Sequence, residues 1–211
     1  MRSRASPGMP NGAWSDGWWH RASRLESPNF GPRPEGTDVS LALIHSISLP
    51  PGHFGGDAIE RLFTNRLDWG AHPYYESIRG LRVSAHFLIR RDGRLMQFVS
   101  CDARAWHAGE SSWRGQPDCN DYSIGIELEG LEGEPFETAQ YACLVKLLRG
   151  LARRYRSLLI AGHEHVAPSR KRDPGAGFDW SRLARALRWS HARFPPGVLT
   201  SDLGRDARDS A

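Results

Sequence analysis

Residues 122–130, YSIGIELEG, constrain the fold more strongly than any other stretch, because apolar side chains alternate there with small or acidic ones. Alternation with a period of two is typical of a β-strand, whose successive side chains point to opposite faces. One face carries isoleucine and leucine and is expected to contact the core. The other carries Glu127 beside Gly125 and Ser123, which leaves room for a ligand to approach the carboxylate. The strand alone leaves open the alternative of a solvent-facing glutamate on an open sheet face.

Further strands and helices intermix along the chain. Apolar, β-prone runs predict strands within residues 40–49, 83–100 and 157–162. The Asp92-Gly93 pair inside the second run is a hairpin signal. Amphipathic patterns predict helices at residues 57–67, 138–155 and 178–190. This order of elements predicts an α/β fold built on one sheet.

The chain is expected to form one domain with polar ends. Residues 1–22 are rich in Gly, Pro, Ser and Trp and are predicted to be an irregular N-terminal extension. Residues 23–190 carry all the predicted strands and helices and form the domain. Residues 191–211 are predicted to be a polar C-terminal tail.

Charge and cysteine content narrow the functional classes. The 211 residues carry a formal net charge of +4 with a pI near 9.2, which suits an acidic small substrate as well as nucleic acid. We expect no nucleic-acid partner, because much of the arginine lies outside the segments that carry motifs. The three cysteines have no CxxC spacing, which argues against a disulfide framework and against a cysteine-ligated zinc.

Two features predict a cytoplasmic protein. The N-terminus has no apolar run of signal-peptide length, and no stretch approaches the length of a membrane span. Free thiols fit a reducing compartment. We therefore expect no membrane partner.

The segment at residues 159–175, LIAGHEHVAPSRKRDPG, concentrates side chains that bind metals. It contains His163, His165 and Asp173, while His45 lies late in the first apolar strand. Two neutral imidazoles and one carboxylate make a three-ligand zinc set with one open position. Taken singly, each histidine could instead be a hydrogen-bonded core residue, and Asp173 a turn residue. Spacing alone does not decide between these alternatives.

Five blocks of the sequence form one recognisable pattern: LIHSISLPPGHFGG, LRVSAHFLIRRDG, RAWHAG, CNDYSIGIELEG and GHEHVAPSRKRDPGAGFDW. Together they resemble one enzyme family, the AmpD-type 1,6-anhydro-N-acetylmuramyl-L-alanine amidases. This family belongs to the zinc amidase superfamily, which includes the peptidoglycan-recognition proteins. The resemblance covers roughly residues 23–190 and implies a single domain with a central mixed β-sheet flanked by helices and zinc at the base of a surface groove.

The same resemblance implies roles for individual residues. Zn²⁺ would be bound by His45, His163 and Asp173, Glu127 would be the general base, and Lys171 would stabilise the oxyanion. The implied reaction hydrolyses the bond between the lactyl group of 1,6-anhydro-N-acetylmuramic acid and L-alanine, in peptidoglycan recycling. The implied partner is this small anhydromuropeptide alone, and we expect a monomer.

Substrate contacts are expected from Ser46, Arg82, Trp106 and Arg170. The arginines suit the carboxylates of the substrate, and the tryptophan could stack on the sugar. Ordinary surface or packing roles are the alternative for each of them.

Two positions depart from the family pattern. Ser46 stands where relatives commonly have asparagine, so a shorter side chain is available for a possible hydrogen bond to the substrate. His165 stands where relatives often have aspartate, which makes it an alternative metal ligand, although it lies two residues beyond His163 and the family pattern favours His163. His86 and His107 are expected to support the site rather than to bind metal.

Three other functions stay open at this level. The chain could be a non-catalytic module that binds peptidoglycan fragments, a nucleic-acid binder, or an exported amidase acting on intact wall. The complete ligand set favours an enzyme over a binding module, and the missing signal sequence argues against export.

Overall fold

The structure is a computed structural model and describes residues 13–199. The strands are β1 (Trp14–Ser15), β2 (Trp18–Trp19), β3 (Ser23–Arg24), β4 (Phe30–Gly31), β5 (Leu41–Ile47), β6 (Phe87–Ile89), β7 (Leu95–Gln97), β8 (Arg104–Ala105), β9 (Ser112–Trp113), β10 (Gln116–Pro117), β11 (Ser123–Glu129) and β12 (Leu159–Gly162). The α-helices are α1 (Ala58–Phe63), α2 (Pro73–Ser77), α3 (Thr138–Arg154), α4 (His163–Val166) and α5 (Trp180–Leu187). Short 3₁₀ turns lie at Trp69–Ala71, Cys119–Asp121 and His191–Arg193.

One six-stranded mixed sheet organises the domain, in the order β12-β5-β11-β6-β7-β3. The strands β12, β5, β11 and β6 run parallel to one another, and β3 runs parallel to β7. Among the described pairs of this sheet, only β6 and β7 are antiparallel, and they form the hairpin predicted at Asp92-Gly93. Strands β5 and β11 are almost wholly buried, as expected for parallel strands covered on both faces. The predicted α/β fold with one central mixed sheet is confirmed.

The two faces of the sheet bury different clusters of side chains. Ile124, Ile126 and Leu128 of β11 lie in the largest cluster, together with the apolar faces of α3 and α5. On the opposite face, Leu41 and Leu43 of β5 pack with side chains of the segment that connects β8 to β11. The alternation in residues 122–130 therefore predicted the inner face correctly, but the second face is covered rather than open.

Both predicted ends contain packed residues, in contrast to the sequence-based expectation. Strands β1 and β2 form a hairpin within the segment predicted to be irregular, and Trp19 is buried in the core against Gly150 of α3. Phe194, in the predicted polar tail, is 2% exposed in the same cluster. Two-residue strands and single anchoring aromatics produce no periodicity, so the pattern could not reveal them. Residues 1–12 and 200–211 of these predicted ends lie outside the described residues.

Truncating Trp19 tests whether the N-terminal hairpin belongs to the domain. The Trp19→Ala variant should lower the free energy of unfolding by about 3–5 kcal/mol, because a buried indole is replaced by a cavity. Urea denaturation of the variant against wild type gives this difference. Trp18→Ala is the matched control, since Trp18 is only partly buried beneath the Arg24 guanidinium. Equal small losses in both variants would show that the hairpin is not part of the core.

Within residues 13–199, no helix is long and apolar enough to cross a membrane.

Candidate metal centre

Strand register brings three of the predicted site residues to one edge of the sheet. The carboxyl ends of parallel strands meet at the same edge, which is where open α/β sheets bind ligands. In the β11–β5 ladder Glu127 is the direct partner of His45, so both side chains point to the same face. Gly162 pairs with Ile44 in the β12–β5 ladder, so His163 follows immediately beside His45. His163 is the first residue of α4 rather than the last of the strand.

The loop after α4 carries Asp173 back to this edge. Gly162 permits the approach, because a Cβ at this position would lie 2.7 Å from Cδ of Pro174. The backbone N–H of Glu164 donates to the carbonyl of Asp173 at 2.8 Å and fixes the loop against α4. Asp173 thereby reaches two histidines that are 128 and 10 residues away in sequence.

Three potential ligand atoms face one another in a small triangle. Nδ1 of His45 lies 3.0 Å from Nδ1 of His163 and 3.1 Å from Oδ2 of Asp173, and the third side is also 3.1 Å. Atoms bound tetrahedrally at zinc-like distances are separated by roughly 3.3 Å, so the triangle has the dimensions of a metal site. No other set of three such groups is this close among the residues that the structure describes.

The protonation pattern of these atoms favours a cation. Nε2 of His163 lies 3.0 Å from the carbonyl of Ala108, which can only accept, so Nε2 carries a proton and Nδ1 is the ring atom that faces the triangle. Burial lowers the pKa of His45 to about 4, so the His45 ring is neutral at pH 7. Burial opposes ionisation of Asp173, yet its contacts with His163 and His45 hold the pKa of this carboxyl well below its usual range. Two imidazoles and a carboxylate suit zinc and similar divalent metals, not calcium or magnesium.

Glu127 lies beside this triangle in an environment that disfavours its charge. Its side chain is 9% exposed, and Oε2 is buried without a hydrogen-bond partner among the described residues. Burial, followed by the negative charge of Asp173, raises the pKa of Glu127 well above its usual value, and Lys171 acts in the opposite direction. An unpartnered carboxylate oxygen with a raised pKa has the properties of a general acid–base group.

The buried carboxyl of Glu127 should reduce the stability of the metal-free protein at neutral pH. The unfolded carboxyl ionises near 4.5, whereas the folded one retains its proton to higher pH. The free energy of unfolding therefore falls as pH rises above about 4.5 and towards the folded pKa. Glu127→Gln removes the cost of ionising this buried carboxyl. The chelator-treated variant should therefore be more stable than chelator-treated wild type at neutral pH, and the difference should vanish near about pH 4. Chemical denaturation at the two pH values measures it; a variant less stable at neutral pH contradicts this description of Glu127.

A surface groove of about 490 Å³ opens over the triangle and Glu127. Half-buried Lys171 lines it, two residues from Asp173, and Ser46 lines it next to His45. Apolar walls come from α2 and the segment after it, from the end of β5 with the loop that follows, and from the loop after β11. The wall residues are Ile47, Leu49, Pro51, Tyr74, Ile78, Leu81, Val83 and Leu131.

The remaining predicted substrate contacts have different positions. Arg170 lines the groove, but its guanidinium donates at 2.7 Å to the carbonyls of both Ala108 and Glu110. Arg82 is exposed and Trp106 half-buried, and among the described residues neither lines the groove. The structure thus brings Ser46 and Arg170 to the site and leaves Arg82 and Trp106 beside it.

His165 does not compete for the metal. Its Nδ1 accepts the backbone N–H of Gly162 at 3.0 Å, and its ring packs against the edge of Trp180. Its departure from the family pattern suggested a competing ligand, but the turn of α4 directs it away from His45 and Asp173.

A buried ion network that the sequence did not reveal fixes the loop at residues 50–56. Arg90 and Glu129 are each 2% exposed and form an ion pair at 2.8 Å. Glu129 accepts the backbone N–H of Gly55 at 2.6 Å, and Arg90 donates to the carbonyl of Gly56 at 2.6 Å and to the carboxylate of Glu60. Glu129 lies two residues after Glu127 and so points to the same face of the strand. This spacing was the one sequence signal that Glu129 belongs near the site. This network joins the loop beside the groove to the central sheet.

Comparison with known proteins agrees with this geometry. Residues 35–176, more than half of the chain, match the family model described as N-acetylmuramoyl-L-alanine amidase. The chain is 51% identical over 174 residues to the 1,6-anhydro-N-acetylmuramyl-L-alanine amidase AmpD of Citrobacter freundii, covering 82% of this chain and 92% of the relative. It is 49% identical over 169 residues to AmpD of Escherichia coli, with 79% and 92% covered.

Solved structures give the same result. A crystal structure of a selenomethionine derivative of AmpD superimposes with a TM-score of 0.80 at 48% identity, covering 82% of this chain and 98% of that one. The amidase AmiD of E. coli, solved with anhydro-N-acetylmuramic acid-L-Ala-D-γ-Glu-L-Lys, superimposes with a TM-score of 0.51 at 28% identity, covering 73% of this chain and 60% of that one. The chain therefore belongs to the N-acetylmuramoyl-L-alanine amidase family.

Proposed function

We propose that this protein is a zinc-dependent amidase that hydrolyses the bond between the lactyl group of 1,6-anhydro-N-acetylmuramic acid and L-alanine in anhydromuropeptides. The observation that carries this proposal is the triangle of His45, His163 and Asp173 beside the buried carboxylate of Glu127. Relatives named for the anhydromuramyl substrate match over about nine tenths of their own length, so the whole catalytic domain is represented.

The three ligand residues and the groove residues have different roles in the reaction. His45, His163 and Asp173 would hold the zinc ion. When bound, zinc would supply Lewis-acid chemistry, lowering the pKa of a water molecule from about 15.7 to about 7 and polarising the scissile carbonyl. The apolar walls of the groove bind the substrate and keep other solvent away.

Glu127 moves the proton. Its unpartnered Oε2 accepts a proton from the attacking water and returns it to the nitrogen of the leaving L-alanine, so that the amine departs uncharged. The raised pKa of Glu127 suits both halves of this transfer, because the carboxyl must hold the proton between the two steps.

Lys171 supplies fixed positive charge. It lines the groove close enough to affect the ionisation of both His45 and Glu127. As the carbonyl becomes a tetrahedral oxyanion, the ammonium group offsets the developing negative charge.

Ser46 is our candidate for a direct contact with the substrate, because it lines the groove next to a metal ligand. Arg170 has a second role as a support, since its donors hold the carbonyls of Ala108 and Glu110. We assign the protein to peptidoglycan recycling in the cytoplasm, as a monomer without nucleic-acid or membrane partners.

Turnover of paired substrates tests the proposal. Zinc-loaded protein should release peptide from an anhydromuropeptide, and chromatography of the products measures the rate against the same peptide on a non-anhydro sugar. Tight binding of the anhydromuropeptide without hydrolysis in zinc-replete buffer would instead establish a non-catalytic peptidoglycan-fragment-binding module.

A further inference from the structure

His107 contacts the ligand residue His45 but is not one of the three potential metal ligands. Its Nδ1 lies 3.0 Å from Nε2 of His45, on the side of the His45 ring opposite the ligand atom. The two rings meet edge to face, with centroids 5.1 Å apart. We propose that His107 is a positioning residue that fixes the tautomer and orientation of the ligand His45, and that Gly125 and Ser123 hold the His107 ring in place for this task.

The direction of each hydrogen bond follows from the far end of a chain of donors. The hydroxyl of Ser123 donates its only proton to the carbonyl of Cys119, which can only accept. Ser123 Oγ then has no proton left to donate, so it accepts a hydrogen bond from the Nε2–H group of His107, 3.3 Å away. A neutral His107 ring with its proton on Nε2 has a lone pair on Nδ1. Nδ1 of His107 then accepts from Nε2 of His45.

This chain determines which nitrogen of His45 is available to the metal. With its proton on Nε2, the neutral His45 ring presents a lone pair at Nδ1, the atom that faces His163 and Asp173. A metal-bound imidazole that donates its other N–H to an acceptor is held in orientation and becomes a better ligand. For His163 the acceptor is the carbonyl of Ala108, and for His45 it is His107.

The backbone around His107 is built to place its ring. The backbone N–H groups of His107 and Ala108 both donate to Oδ1 of Asn120, at 3.1 and 2.9 Å. The ring lies flat over Gly125, where a Cβ would come within 2.5 Å of Cγ and 2.6 Å of Nδ1 of His107. Gly125 therefore leaves space for the ring of His107, and any larger side chain at position 125 would push this ring away from His45.

Two substitutions of similar size separate hydrogen bonding from packing. In His107→Asn, the amide oxygen occupies nearly the place of Nδ1 and can accept from His45, whereas the leucine of His107→Leu has similar bulk and no acceptor. Zinc-loaded proteins would be titrated with a competing chromophoric chelator, which gives zinc affinity without any need for activity. His107→Leu should bind zinc about 10–100-fold more weakly than wild type, and His107→Asn should lose less than about tenfold. His20→Phe, at an exposed histidine, should leave the affinity unchanged.

Gly125→Ala tests the same claim without altering any hydrogen-bonding group. The added methyl displaces the His107 ring, so zinc affinity should fall within the same range of about 10–100-fold. Gly31→Ala is the matched control, because a Cβ there meets nothing within 4 Å. Should His107→Leu fail to fold, Gly125→Ala alone decides the question.

The proposal rests on the metal site of the proposed function, and the outcomes keep the two apart. Failure of wild-type protein to retain zinc overturns the metal site itself. If wild-type protein does retain zinc, two results would overturn only the role of His107. One is wild-type zinc affinity in folded His107→Leu or Gly125→Ala. The other is an equal loss of affinity in the asparagine and leucine variants.

Discussion

Glu127→Gln should lower the turnover of anhydromuropeptide by about 10²–10⁴-fold, equivalent to about 3–5 kcal/mol of activation free energy. The amide has nearly the shape of the carboxyl but accepts no proton at neutral pH, so the attacking water keeps its proton and the leaving amine receives none. Because Glu127 is not one of the three clustered ligand groups, the variant should retain one equivalent of zinc. Steady-state rates and metal analysis of the same preparation check both statements.

The control for this substitution is Glu134→Gln, at an exposed glutamate. Its rate should equal that of wild type. If Glu127→Gln keeps full activity, another group takes the proton and the assignment is wrong. A simultaneous loss of zinc and activity would place Glu127 among the ligands instead.

Asp173→Ala should abolish both zinc binding and turnover. Two imidazoles remain in this variant, but the only carboxylate of the three ligand groups is gone, and with it the charge that balances the metal. In wild type, zinc at about 1,000 times its dissociation constant should add about 4 kcal/mol to the free energy of unfolding, since only the folded chain presents the complete site. Chelator should remove this increment from wild type, while the stability of Asp173→Ala should not respond to zinc or chelator.

Asp38→Ala serves as the comparison, because Asp38 is exposed and is not part of the ligand triangle. It should respond to zinc as wild type does. A zinc-dependent rise in the stability of Asp173→Ala would mean that other groups hold the ion.

The sequence was informative wherever one strand or one helix carries the signal. The alternation through Ile124 and Ile126 identified the core face of β11 and singled out Glu127, and the spacing in α3 gave that helix almost to the residue. The ligand types could also be recognised in sequence, because histidine at strand ends and a carboxylate in the following loop are suitable ligands. The family resemblance assigned their roles.

Contacts between distant segments were beyond the reach of the pattern. Gly125 was interpreted as room for a ligand, whereas the ring of His107 fills that space. Arg170 was interpreted as a reader of substrate carboxylates, and the structure adds a supporting role that the pattern did not indicate, because its donors hold the carbonyls of Ala108 and Glu110. Both contacts escaped the sequence for one reason: a residue that supports the site and one that touches the substrate can be of the same type, and only tertiary geometry distinguishes them.

Hydrolysis of a defined anhydromuropeptide in ¹⁸O-labelled water, followed by mass spectrometry of both products, tests the central claim most directly. The account predicts free peptide with an unlabelled L-alanine terminus and anhydro-N-acetylmuramic acid carrying one ¹⁸O in its lactyl carboxylate, with both products absent after chelation and restored by zinc. Label in the peptide, or unchanged cleavage in the presence of chelator, would contradict it.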